Sequence, residues 1–147
     1  MFVHDFVVVQ RPFTLLLATL PALLESELAA LVKGVWPTGP SDDDRAPTVV
    51  IGSARDRVDA VVYPIAWSDA RTATELGVEA DLELSPIDEH SCDLHLAGRC
   101  LTADTTLAPD QLRQSRREVV FGMRSLLNTM KQRLEEPPVL RLPALRC

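Results

Sequence analysis

Few side chains in this sequence are equipped for chemistry. The general-base candidates are His4, His90 and His95; His90 falls in an expected turn, and His95 has a carboxylate two residues away on its own strand, Asp93. That spacing puts both groups on one face of an extended strand. The same alternation sends them opposite Leu94 and Leu96, to the wet side, where water levels the shifts an acid–base pair needs. Asp93 and His95 therefore read as surface residues. Glu79, Asp81 and Glu83 face outward by the same rule and read as solubility residues, not paired catalytic carboxylates. The three cysteines, Cys92, Cys100 and Cys147, form no CxxC pair and no zinc spacing. Cys92 and Cys100 lie on one expected strand, roughly 27 Å apart at strand rise, too far to bridge. They read as reduced thiols of a cytoplasmic protein. No glycine-rich phosphate loop, nucleophile elbow or metal-ligand cluster appears. The reading assigns no catalytic residue, no metal and no cofactor.

The polar tips on apolar rings are more informative. Tyr63 and Trp67 share a strand phase with Ile65 and sit in the apolar half of the pattern, so each could offer one hydrogen bond inside a greasy space.

Composition narrows the partners. The 147 residues are 46% hydrophobic and 24% charged, with 15 Lys and Arg against 21 Asp and Glu, a formal charge of −6. Such a chain has no general attraction for phosphate backbones or anionic lipid. The dense basic cluster, Arg113, Arg116, Arg117 and Arg124, reads as a solvated helix face and not a nucleic-acid site. The apolar run of residues 15–24 is interrupted by Pro21 and followed by Glu25 and Glu27. It reads as a folded segment, too short to span a bilayer and not a signal sequence.

The elements that must position these side chains follow from period. Residues 2–10 are β-rich. Leu16, Leu20, Leu23, Leu24, Leu28, Leu31 and Val32 recur at helical steps, and Pro21 is expected to kink this stretch or split it into two short helices. Residues 36–47 are a polar, proline-containing loop. Strands are expected over 48–53 and 58–67. Residues 78–85 alternate strictly, a turn centred on Asp88 follows, and 91–100 alternate again, which makes a hairpin. Gly98 falls in the apolar phase near the strand end, where a bulge or a close backbone approach is expected. Residues 109–136 form the longest helix, with Val119, Val120, Met123, Leu126, Leu127, Met130 and Leu134 as its apolar stripe. One α+β domain over 1–136 results, with a Pro/Leu/Arg tail over 137–147.

Three stretches carry a family resemblance: the Pro-x-x-Trp strand at 64–67, the acidic ADLEL-x-P strand at 80–86 and the Leu-x-Leu-x-Gly strand at 94–98. Together they resemble small bacterial members of the helix-grip superfamily (SRPBCC: START domains, Bet v 1-like proteins and polyketide cyclases). The likeness covers residues 58–134; after Gly98, where such relatives often continue with a Tyr and a Pro-rich loop, this chain has a Thr-rich stretch at 100–107. The resemblance implies a curved antiparallel sheet wrapped around the long C-terminal helix, with an apolar cavity between them. Tyr63, Ile65, Trp67, Leu82, Leu94 and Leu96 from the sheet and Met123, Leu126 and Met130 from the helix would line it. The expected function is non-catalytic binding of a hydrophobic small molecule. The alternatives are a cyclase or dehydratase acting on a polyketide-like chain, and an interaction module with a filled core, acting through its tail or sheet face as a homodimer.

Overall fold

The computed structural model describes residues 2–35, 48–68, 77–101 and 109–137. The expected loops at 36–47 and 100–107 and the tail at 137–147 lie wholly or largely outside them. In chain order the elements are β1 (Phe2–Val9), α1 (Phe13–Val35), β2 (Thr48–Ile51), β3 (Arg55–Arg57), β4 (Ala60–Ser68), β5 (Gly77–Asp88), β6 (Ser91–Leu101) and α2 (Pro109–Glu135). The strands form one antiparallel sheet of order β1-β6-β5-β4-β2, and β3 pairs with β4 beside β2. The fold is α+β, and both helices pack on one face of the sheet. α2 lies over β1 and β6, while α1 touches β2, β5 and α2.

Register explains which residues meet. Tyr63 stands opposite Leu82 and Leu82 opposite Leu96, and in the next row Val61, Leu84 and Leu94 align. These side chains all point to the helix side, as the period-two pattern requires. There they join Leu16, Leu20, Leu24, Leu28, Met123, Leu127 and Met130 in a single buried cluster.

Gly98 stands opposite Ala80 on β5 and Val3 on β1, in the inward phase. A Cβ placed on it would come within 2.5 Å of the Ala80 Cβ, where facing residues normally keep about 4.5–5.5 Å. The two strands crowd together on the inner face at this row, and only a residue without a side chain fits. This is the close backbone approach expected at that position.

The structure departs from the sequence reading in several places; β2 ends at Ile51 where a strand to residue 53 is expected, and Arg55–Arg57 forms a strand the pattern does not assign. Pro21 neither splits nor ends the helix: α1 runs unbroken for 23 residues with Pro21 inside. A proline removes the donor that would reach the carbonyl four residues back. That carbonyl belongs to Leu17, which is 37% exposed, so water can take the lost bond, while the leucine stripe continues in phase on both sides. Val58 does not begin a strand. It sits in the two-residue turn between β3 and β4, 91% exposed. The turn expected at 86–91 is shorter, because β5 passes Pro86 through an irregular step and ends at Asp88. Asp88 Oδ1 then accepts from the His90 N–H at 2.8 Å and the Ser91 hydroxyl at 2.9 Å, and these bonds, the His90 one foremost, hold its carboxyl below the usual range. Finally, Val120 is not part of the α2 stripe. It is 39% exposed and Phe121 beside it 73%, because at 100° per residue Val120 falls at the outer edge of the stripe, beyond Leu127, and Phe121 a further 100° round.

Candidate functional site

Among the nine expected ligand-binding residues none is more than 5% exposed. Tyr63 is 5%, Ile65 and Trp67 3%, Met123 and Leu126 1%, and Leu82, Leu94, Leu96 and Met130 0%. The structure brings all nine together, as side chains of one packed core. Two of them line described concavities of ligand size: Tyr63 the recess between α1 and the sheet edge, and Ile65 a trough on the sheet.

The opening at Tyr63 traces to a proline. In an antiparallel strand the N–H and C=O of one residue point to the same side. The Pro64 carbonyl accepts from the Gly52 N–H at 2.7 Å, so the donor that Pro64 lacks would also have faced β2 and β3. The ladder to β5 therefore loses nothing, and the missing bond falls on the outer partner. That partner is broken there, into β2 and β3, with residues 52–54 between them. Over this seam pass Pro21, Leu24 and Glu25, one stripe of α1 at three- and four-residue steps. Together with Ile51, Gly52, Ala54 and Tyr63 they enclose a recess of about 360 Å³. Ligand sites begin at roughly 300 Å³.

The electrostatics of the recess are one-sided. Burial raises the pKa of the Tyr63 phenol, and the nearby Asp56 carboxylate raises it further. At neutral pH Tyr63 is thus a protonated hydroxyl, a donor and acceptor but not a base. Asp56 lies between Arg55 and Arg57 on β3. Those two arginines face the other side of the sheet, where they pair with Asp81 at 3.4 Å and Glu83 at 3.3 Å. Alternation therefore turns Asp56 toward the helix side and the recess. The Arg-Asp-Arg alternation was the available signal for β3, and Pro64 the signal for the seam.

A larger trough, about 500 Å³, runs across the opposite face of the sheet. It follows the row of small residues Ala97, Pro64 and Gly52, between Phe2 and Val50. Its flanking charges are satisfied: Arg99 pairs with Glu79 at 3.6 Å and Arg55 with Asp81. Ile65, Ala80 and Gly98 of the inward phase also contribute to its lining. The carboxylates of β5 are thus outward, as expected, and paired across strands.

The Asp93–His95 pair is also on this outer face, but less wet than the pattern suggests. Both residues are half-buried. Asp93 Oδ1 is enclosed with no hydrogen-bond partner, and burial raises its pKa, with Glu83 adding to the rise and His95 opposing it. The His95 ring lies 5.9 Å from that of His4, which lies 6.3 Å from Phe2. No hydrogen bond joins Asp93 to His95 among the described residues, so the pair has no geometry for proton transfer. Cys92 and Cys100 are buried, free thiols on the inner phase of β6, and burial raises both. Among the described residues no three His, Cys, Asp or Glu side chains converge as metal ligands would.

The fold and the recess define an α+β domain with a phenol and a carboxylate, Tyr63 and Glu25, at a recess beside its apolar interior. Comparison with known proteins agrees at the level of fold. No protein-family model matches the chain, and no curated protein matches it. Among solved structures, a conserved protein from Geobacillus kaustophilus superposes with a TM-score of 0.55 at 8% identity, covering 91% of this chain and 95% of that one. The Zhui aromatase/cyclase from Streptomyces sp. R1128 covers the same shares with 16% identity and a TM-score of 0.40. The first likeness shows a shared fold; the second is too loose to carry weight.

Proposed function

We propose that this protein is a helix-grip domain that binds a lipophilic small molecule without transforming it, at the recess between α1 and the β2–β3 seam, and that it works in the cytoplasm. The observation that supports this best is the 360 Å³ recess ending on Tyr63, where a phenol meets the side chains of Pro21, Leu24 and Ile51. Apolar side chains with a small number of polar groups, here Tyr63 and Glu25, are the usual composition of a small-molecule site. The ligand's apolar body would lie on Leu24 and Ile51 and its polar end would meet the Tyr63 hydroxyl. The other eight expected residues then act as the packed floor that keeps Tyr63 in place. A cyclase or dehydratase reading has less support, since proton transfer along a polyketide needs several inward polar groups, and His4, His90 and His95 lie on the outer face or in a turn.

The test uses the full chain. Protein passed over a mixed lipid and polyketide extract, then washed and analysed by native mass spectrometry, should retain a compound. Ala54→Trp, which puts an indole into the recess from an exposed position, should abolish retention while the melting temperature stays within a few degrees. Retention unaffected by that substitution would place the ligand elsewhere.

A further inference from the structure

The geometry points to a lipophilic cation, an alkylamine or quaternary ammonium compound, as the occupant of the Tyr63 recess. This rests on the recess being a ligand site, as proposed above, and adds the sign of the ligand's charge. Three observations lead to it. First, among the described residues the charged groups at the recess are of one sign. Glu25 is part of its lining, and Asp56 is turned toward it from β3. Neither carboxylate has an ion-pair partner among the described residues. Second, the described cations next to Asp56 in sequence are committed to the other face. Arg55 and Arg57, the immediate neighbours of Asp56, reach across to Asp81 and Glu83. Third, the buried end of the recess is an aromatic ring. Tyr63 is 5% exposed, and its hydroxyl makes no hydrogen bond to another described residue.

Together these features favour a cation and penalise an anion. Both carboxylates are exposed at the rim, where at low ionic strength they attract a positive headgroup and repel a negative one. The Tyr63 hydroxyl, with lone pairs free to accept, is compatible with a cation beside it. Pro21, Leu24 and Ile51 supply the apolar contact for an alkyl body. An alkyl carboxylate of the same length would meet the same apolar surface and two like charges.

The experiment titrates the full chain, by calorimetry at low ionic strength and below the micelle threshold, with three probes of one chain length: decyltrimethylammonium, decanol and decanoate. Decyltrimethylammonium should bind at least about ten-fold more tightly than decanoate, the size expected from two carboxylates at an interface of intermediate dielectric. Raising the salt should narrow the gap. The double substitution Glu25→Gln and Asp56→Asn should remove the preference, so that decyltrimethylammonium and decanoate then bind within about two-fold of each other. If decanoate binds as well as the cation, and Ala54→Trp blocks both, the recess is a ligand site and the charge inference is wrong. If none of the three binds, or if binding survives Ala54→Trp, the ligand-site reading itself falls. A charge preference that persists in the double variant would also overturn the assignment to Glu25 and Asp56.

Discussion

Tyr63 is the sole tyrosine in the sequence, which makes the candidate site spectroscopically addressable. Burial, followed by the Asp56 charge, raises its pKa, so an ultraviolet titration of phenolate formation should show one transition above the ordinary phenol value of about 10. Asp56→Asn should move that transition down by a fraction of the total shift, because burial is the larger cause and remains. A phenol held protonated in the folded state contributes stability that is complete below its unfolded pKa. That contribution is lost as pH rises through the folded value. A transition at or below the free-tyrosine value would mean that Tyr63 is open to water and the recess geometry is wrong.

The elements are tied together at their ends more than at their middles. At the C-terminal end of α2, Glu135 Oε1 accepts from the Gln10 N–H at 2.8 Å and from Lys131 at 2.5 Å. Arg11 reaches the Glu135 carbonyl, and Lys131 also donates to the Val8 carbonyl at 2.6 Å. This knot joins the end of β1 to the end of α2, some 125 residues apart in sequence. Burial alone would raise the Glu135 pKa, but Gln10, Lys131 and Arg11 outweigh it and hold the carboxyl below its ordinary value. A depressed carboxylate stabilises the fold above its unfolded pKa, and the contribution disappears as pH falls through its folded value. Glu135→Gln should therefore cost roughly 1 kcal/mol at neutral pH and nothing further in acid. Melting temperatures of the two proteins should converge between about pH 5 and pH 3; parallel curves across that range would show that Glu135 is not the titrating link.

For the whole molecule, the exposed border of the sheet decides how copies behave. β1 is an edge strand, and an open edge is a template for pairing with another chain. Here it is blunted at two points. The outward Phe6 N–H is taken by Asp5 Oδ1 at 2.8 Å, with Asp5 in turn held by Arg124 at 3.0 Å, and the outward Val8 carbonyl is taken by Lys131. The double substitution Asp5→Ala and Lys131→Ala should release both groups and raise the mass seen by sedimentation at a fixed concentration. An unchanged mass would show that the exposed Phe2 and Phe6 side chains, not the backbone edge, control association. Asp5 is a carboxylate in the inward phase of a strand, which pattern alone assigns to the core; its role as a strap to α2 needs Arg124 beside it in space.

Much of this architecture is written in period. The strict alternation of residues 78–85 and 91–100 dictates which side chains face the helices, because a strand has only two faces. The 3.6-residue stripe of Met123, Leu126, Leu127 and Met130 likewise dictates the covered side of α2. Those two rules place six of the nine expected site residues on the inner side, and the shared phase of Tyr63, Ile65 and Trp67 on β4 places the other three. They could not say whether that side is hollow, since volume depends on how closely two layers approach. Nor could period foretell the effect of Pro21 or Pro64. A proline's cost depends on what stands opposite its missing donor: solvent beside Leu17 in one case, a broken edge partner in the other. That second break, with α1 laid across it, is what gives Tyr63 a way out of the core. The contact joins residues 21–25, 51–54 and 63, which no local pattern connects, so only the folded chain could reveal it.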